Sequence, residues 1–194
     1  MAKRTSSESD APLFAWGEAL RAARARRRRI IRGAVITAAG ILAVGITIIA
    51  PPRPRLVWNV SASAPIGLYA VTPDAAIEPG DMVIARVPEH YRMLAATRHY
   101  IPANVPLVKH VAAAAGDEIC AFGQDIFLNG YWIAKRHIAD GWGRPMPWWN
   151  GCVRLRGRQL FLLMAGSPAS FDGRYFGITE GDEVIGKAQL LWPR

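Results

Sequence analysis

EICAFGQDIFLNGYWIA, residues 118–134, is the stretch that decides the fold class. It holds three short apolar runs, Glu118–Phe122, Asp125–Leu128 and Tyr131–Ala134, set apart by turn residues. Asn129-Gly130 lies between the last two. That dipeptide tolerates the positive φ angles of a type I′ turn, and it is the strongest hairpin signal in the chain. Runs of four or five residues between such turns predict strands.

The same punctuation continues on both sides. Further strands are predicted at Gly67–Val71, Asp81–Arg86 and Leu107–Ala112, and then at Leu160–Leu163 and Val184–Leu191. Many short strands at this spacing predict a mainly β domain, assembled as a barrel or a sandwich of sheets. Residues 88–100, PEHYRMLAATRHY, are the one stretch of this domain with a helical pattern.

Upstream the pattern changes. Residues 33–50, GAVITAAGILAVGITIIA, carry no charge. As a helix these eighteen residues reach about 27 Å, close to the thickness of a bilayer core. Nine Lys and Arg stand before them against three acids, and Arg26–Arg29 form an unbroken run. Six of the nine net positive charges therefore fall in the first 32 residues. Arginines on one flank of an apolar run predict a cytoplasmic N-terminus and an extracytoplasmic remainder. A basic cluster can also bind nucleic acid, but the apolar run beside it favours a membrane surface. No nucleic-acid partner is expected. The run is longer than a usual signal-peptide core and ends in APPRPR, with no small-residue cleavage site clear of proline, so it is read as an uncleaved anchor. The expected organisation is a basic tail at 1–32, a transmembrane anchor at 33–50, a Pro-rich spacer at 51–57 and one domain at 58–194.

Cys120 and Cys152 fall on the predicted outer side, where disulfides persist. Their spacing does not decide whether they pair. Lacking ligand-spaced histidines, they make a poor metal site, and neither a metal nor an organic cofactor is expected.

Three stretches carry candidate chemistry. Ser61-Ala62-Ser63-Ala64-Pro65-Ile66-Gly67 is a serine-rich loop that leads into a strand about thirteen residues past the anchor. A serine needs a base to attack. In the strand Leu107-Val108-Lys109-His110-Val111, alternation places Lys109 on the face of Leu107 and Val111. Burial there lowers an ammonium's pKa and frees an amine to accept the serine proton. His110 falls on the opposite face. It offers a rival Ser63/His110/Asp172 triad, while His90, His99 and His137 lie in polar, loop-like surroundings. The third stretch, residues 167–177, packs Ser170, Asp172 and Arg174 among glycines. An Asp/Arg pair is most often an exposed salt bridge, but it can also brace a loop behind a catalytic pair.

Together the three stretches resemble the bacterial signal peptidase (leader peptidase) family, and within it the conjugative-transfer, TraF-type branch. SASAPIGLY resembles the nucleophile segment, LVKHVAAAAGDEI the lysine segment and SFDGRYFG the last signature box. Gly141-Trp142-Gly143-Arg144-Pro145 and Gly151-Cys152 also look like features of that branch. The resemblance implies a signal-peptidase-like β domain of several small sheets behind a single transmembrane helix. It implies Ser63 as nucleophile and Lys109 as general base, with Ser61 Oγ and the Ser63 N–H as oxyanion hole. Ser170 would orient Lys109, and Asp172 with Arg174 would support that loop. Gly173 stands where many relatives carry serine.

The implied substrate is a membrane-embedded precursor, a pilin or another exported protein of a type IV secretion system. The enzyme would sit in the inner membrane with its catalytic domain in the periplasm. In some TraF-type enzymes the substrate's own N-terminus captures the acyl-enzyme and a cyclic pilin results; these residues do not choose between water and amine. The alternative from another class is a non-catalytic, membrane-tethered component of the secretion machine.

Overall fold

The computed structural model describes residues 11–50 and 52–194. Lys3, Arg4, Glu8, Asp10 and Pro51 of the features above lie outside the described residues. The chain divides into two compact units between Pro52 and Arg53.

The first unit is one helix, α1, Ala11–Ile49. It runs without a break from the basic segment into the apolar one. Ala, Leu and Arg are strong helix formers, so the described part of the basic tail is helical rather than irregular. The helix is long and apolar enough to cross a membrane.

The second unit is mainly β, with two antiparallel sheets. Ten strands build it: β1 Leu56–Asn59, β2 Gly67–Thr72, β3 Met82–Ala85, β4 Leu107–Ala113, β5 Glu118–Phe122, β6 Asp125–Leu128, β7 Tyr131–Lys135, β8 Gly151–Arg154, β9 Phe161–Leu163 and β10 Val184–Pro193. The larger sheet has the order β1-β2-β10-β3-β4-β9 and the smaller β7-β6-β5-β8. Two helices interrupt the strands, α2 Glu89–Thr97 and the single turn α3 Gly173–Phe176.

All eight predicted strands are present, with ends within one or two residues of expectation, and the predicted helical stretch 88–100 holds the shorter α2, which stops three residues early at Thr97. Asn129 and Gly130 adopt φ of 50° and 84°, the double positive φ that a type I′ turn requires. Asn129 adds a side-chain clasp: its Oδ1 accepts from the Glu118 N–H and its Nδ2 donates to Asp117 Oδ1, both at 2.8 Å. Two strands were not expected. β1 begins at Leu56, inside the stretch read as spacer, and exists through its antiparallel pairing with β2. β8 is largely exposed and has no apolar alternation; its pairing with β5 and a Cys120–Cys152 disulfide hold it in place.

The centre of the larger sheet is covered on both faces. Val83, Ala85, Val111 and Leu162 cluster on one, and Tyr69, Val71, Ile84, Val108 and Ala188 on the other. Ile119, Ala121 and Ile126 of the smaller sheet pack with Ala113, Phe161 and Leu163 of the larger. Aromatic residues Phe171, Tyr175 and Phe176 join Val87, Ala95 and Leu107 in a further cluster around α2 and α3.

Candidate active site

The site begins at the β1–β2 connection, residues 60–66. Asn59, the last residue of β1, is buried. Its Nδ2 donates to the carbonyls of Ser61 (3.0 Å), Ala64 (3.2 Å) and Pro65 (3.0 Å), and its Oδ1 accepts from the Ser61 N–H at 3.0 Å. Tyr69 Oη donates to the same Pro65 carbonyl at 2.8 Å. One amide side chain thus ties both arms of the loop that presents Ser61 and Ser63. At the exit of the loop, Gly67 abuts β10 so closely that a Cβ would stand 2.1 Å from the Trp192 carbonyl oxygen.

Lys109 comes from the middle of β4 and is 2% exposed. Its cross-strand partner is Val83, so the stem runs through apolar surroundings. Its Nζ lies 2.8 Å from Ser63 Oγ and 2.7 Å from Ser170 Oγ. No carboxylate hydrogen-bonds the amine among the described residues. Burial is the main reason its pKa falls from 10.5 to about 8. The charge of Asp172 opposes that fall and the charge of Arg174 assists it.

Behind the amine, Asp172 and Arg174 form a fully buried ion pair, with Nη2 to Oδ2 at 2.8 Å and Nε to Oδ1 at 2.9 Å. This corrects the common expectation of an exposed surface bridge for such a pair. Each partner also serves the backbone. Asp172 accepts from the N–H of Met164 and of Arg174. Arg174 Nη2 donates to the carbonyls of Ser167 (2.7 Å) and Ser170 (3.3 Å). The pair therefore fixes the loop that carries Ser170. Gly173 has no room for a side chain, since a Cβ would lie 2.8 Å from the Leu162 carbonyl oxygen and from the Phe161 ring. Serine would be crowded there.

Arg136 joins this loop to the smaller sheet. It is 1% exposed and stacks 3.7 Å from the centre of the Trp148 ring. Its guanidinium donates to the carbonyls of Gly123, Trp149 and Arg174.

Ser61 Oγ lies 3.0 Å from Ser63 Oγ and accepts a long 3.4 Å hydrogen bond from the Ser63 N–H. The two expected oxyanion donors are adjacent, but each is engaged with the other. A bound carbonyl oxygen would have to part them.

His110 is exposed, and its Nδ1 sits 3.3 Å from the Gly80 carbonyl rather than at Ser63. Asp172 is committed to Arg174. The alternative triad is therefore not assembled. Cys120 and Cys152 are opposite one another on β5 and β8 and are bonded.

A cavity of about 700 Å³ opens over Ser63 and Lys109, with Ser61 and Ser170 also on its wall. Its wall also includes Tyr100, His137, Ala139, Asp140, Gly141, Trp142 and Met146. These residues and Asn59 were missed as site residues. For Asn59 a signal exists: a polar residue closing the apolar run LVWN, one step before the serine loop.

A buried lysine amine between two serine hydroxyls is an arrangement that can supply a nucleophile, a base and an orienting group. A profile of the family described as "Signal peptidase, peptidase S26" matches residues 27–193. The chain belongs to the signal peptidase family. Two curated relatives are both described as plasmid transfer protein TraF of Escherichia coli. One is 32% identical over 137 residues, covering 66% of this chain and 77% of the relative. The other is 33% identical over 129 residues, covering 61% and 72%. Among solved structures, a signal peptidase I from Enterococcus faecalis is 14% identical, covers 58% of this chain and 97% of its own, and superposes with a TM-score of 0.35. The matched residues 27–193 take in every site residue of this signal peptidase family member.

Proposed function

We propose that this peptidase is a membrane-anchored serine endopeptidase with Ser63 as nucleophile and Lys109 as general base. The observation that carries the reading is the amine held within 2.8 Å of both hydroxyls without an acid to keep its proton. In the neutral form the amine accepts the Ser63 proton. Ser63 Oγ bonds to the scissile carbonyl carbon, and the oxyanion is met by Ser61 Oγ–H and the Ser63 N–H. Lys109 then returns the proton to the departing amine as the C–N bond breaks. Water, activated by the same lysine, splits the acyl-enzyme. Ser170 aims the amine, and the Asp172–Arg174 pair keeps that loop in place.

The positive-inside arrangement around α1 supports an inner-membrane anchor with the β unit in the periplasm, and the Cys120–Cys152 disulfide supports an oxidising compartment. The relatives are plasmid transfer proteins, which supports an exported precursor of the conjugation apparatus, such as a pilin, as substrate. Transpeptidation would follow if the precursor's own N-terminal amine replaced water.

The test is mass spectrometry of a candidate pilin made with and without this protein. We expect a defined cut with the wild type, and a further loss of one water if the product is cyclic. Ser63→Ala and Lys109→Ala should each abolish processing while membrane insertion persists. Processing that survives either change sinks the dyad, and a non-catalytic role then becomes the better reading.

A further inference from the structure

The wall of the cavity over Ser63 includes residues of a braced loop, His137, Ala139, Asp140, Gly141, Trp142 and Met146. Ala139 and Pro145 bridge across it, and the Met146 N–H donates to the Ile138 carbonyl at 2.9 Å. Asp140 lies at the centre of the loop. It accepts from the N–H groups of Trp142 (3.0 Å) and Arg144 (2.9 Å), from Arg144 Nε (2.7 Å) and from Tyr100 Oη (2.6 Å). Burial alone would raise this carboxyl's pKa, but these four donors outweigh it and hold the group well below the usual carboxylate range. Two more bonds fasten the loop to the end of α2: Arg144 Nη2 to the Arg98 carbonyl at 3.1 Å and Arg98 Nη1 to the Pro145 carbonyl at 2.6 Å.

At the tip of this braced loop Trp142 is 72% exposed. Its indole is backed by the Arg144 guanidinium, 4.8 Å from the ring centre. A large aromatic left in water forgoes hydrophobic free energy that burial would supply. The loop beneath it is tied down by the hydrogen bonds above, so little loop entropy remains to be lost when something covers the ring. Trp142 faces the same cavity as Ser63 and Lys109, together with Ile101, Leu107, Met146 and Phe171. The whole cavity, about 700 Å³, lies within the range of sites that enclose whole ligands, so a large side chain can be accommodated in it.

We propose that Trp142 is a specificity-determining residue: it walls a subsite that takes a large apolar side chain of the polypeptide substrate, next to the bond that Ser63 attacks. This rests on the reading of Ser63 and Lys109 above. The occupant follows from position, since whatever packs on Trp142 inside the cavity shares it with Ser63.

The test uses the full-length protein in detergent micelles and internally quenched peptides that span the cut found by mass spectrometry. Each residue around the cut is replaced in turn by Leu, Phe, Ala or Asp. At one position the wild type is expected to favour Leu or Phe over Ala by about tenfold in kcat/KM. Trp142→Ala should bring that ratio under twofold, mainly through KM on the apolar peptide. Trp142→Phe should restore at least half of it. An undiminished ratio in Trp142→Ala overturns the proposal. So does an equal loss on all peptides, which is the mark of a merely structural residue. Binding of the same peptides to Ser63→Ala protein, followed by fluorescence anisotropy, separates the two readings. A Leu-over-Ala binding preference that Trp142→Ala removes supports the subsite even if Ser63 is not the nucleophile. If that preference is absent while wild type cleaves, only the subsite fails.

Discussion

Lys109 bears the largest electrostatic cost in the molecule's site, and the sign of that cost is testable. Its folded pKa, about 8, lies below its ordinary 10.5. Below pH 8 both folded and unfolded chains hold the proton, and folding bears the full penalty of burying an ammonium. At about 1.4 kcal/mol per unit of pKa this is about 3 kcal/mol. Between pH 8 and 10.5 the unfolded chain binds more protons, so stability rises with pH; above 10.5 the penalty is gone. Lys109→Met should therefore be inactive yet more stable than wild type at pH 7 by up to about 3 kcal/mol, less what the two serine hydrogen bonds contribute. Urea titrations should show the gap closing towards pH 10.5, and a constant gap would contradict the assignment. By the same pKa, kcat/KM should climb tenfold per pH unit up to about pH 8 and then level.

Asn59 makes a second residue-scale case. Asn59→Ala removes a donor from three carbonyls of the serine loop, of which Pro65 keeps Tyr69 Oη, and the acceptor of the Ser61 N–H; a displaced nucleophile costs about 100-fold in rate. We expect kcat to fall by about that factor while the pH midpoint set by Lys109 stays put. Asn59→Asp should not rescue, because it turns a carboxylate oxygen towards three carbonyls. Lys109 was legible because strand alternation marked a lysine on an apolar face. Asn59 was not, because its role depends on where a loop folds back, which no periodicity reports.

At the level of elements, the strands between glycine and asparagine turns were readable to within a residue or two. β1 and β8 were not, since one follows a proline cluster and the other has no buried face of its own. Their existence is a property of β2 and β5, which supply their hydrogen bonds. Gly67 shows how tight such a junction is. Gly67→Ala would drive a methyl group into the Trp192 carbonyl and separate β2, which leads out of the serine loop, from β10. We expect a loss of about 2 kcal/mol or more in chemical denaturation, with activity falling further than the loss of folded protein explains.

For the whole molecule, α1 has the length and apolar character to cross a membrane while the β unit buries its apolar residues in clusters of its own, and a charge change should separate the two. Replacing Arg26–Arg29 by glutamine is expected to scramble insertion, measured by protease accessibility of the β unit in membrane vesicles. Cleavage of a peptide by the same variant in detergent should remain within about twofold of wild type. The expectation of this division comes from the sequence, because charge and apolar residues are segregated along the chain. The arrangement of the site was not announced in this way, since Ser63, Lys109 and Ser170 are brought together from sequence separations of 46 and 61 residues.

The smaller sheet supplies none of Ser61, Ser63, Lys109 and Ser170. It reaches the Ser170 loop through Arg136, which holds the Arg174 carbonyl, and through the packing that backs it. Its turn at Asn129-Gly130 is therefore a place of architectural freedom. Exposed turns of this kind accept foreign segments, and a fluorescent or affinity module spliced there would be carried by the enzyme with the reacting groups left undisturbed.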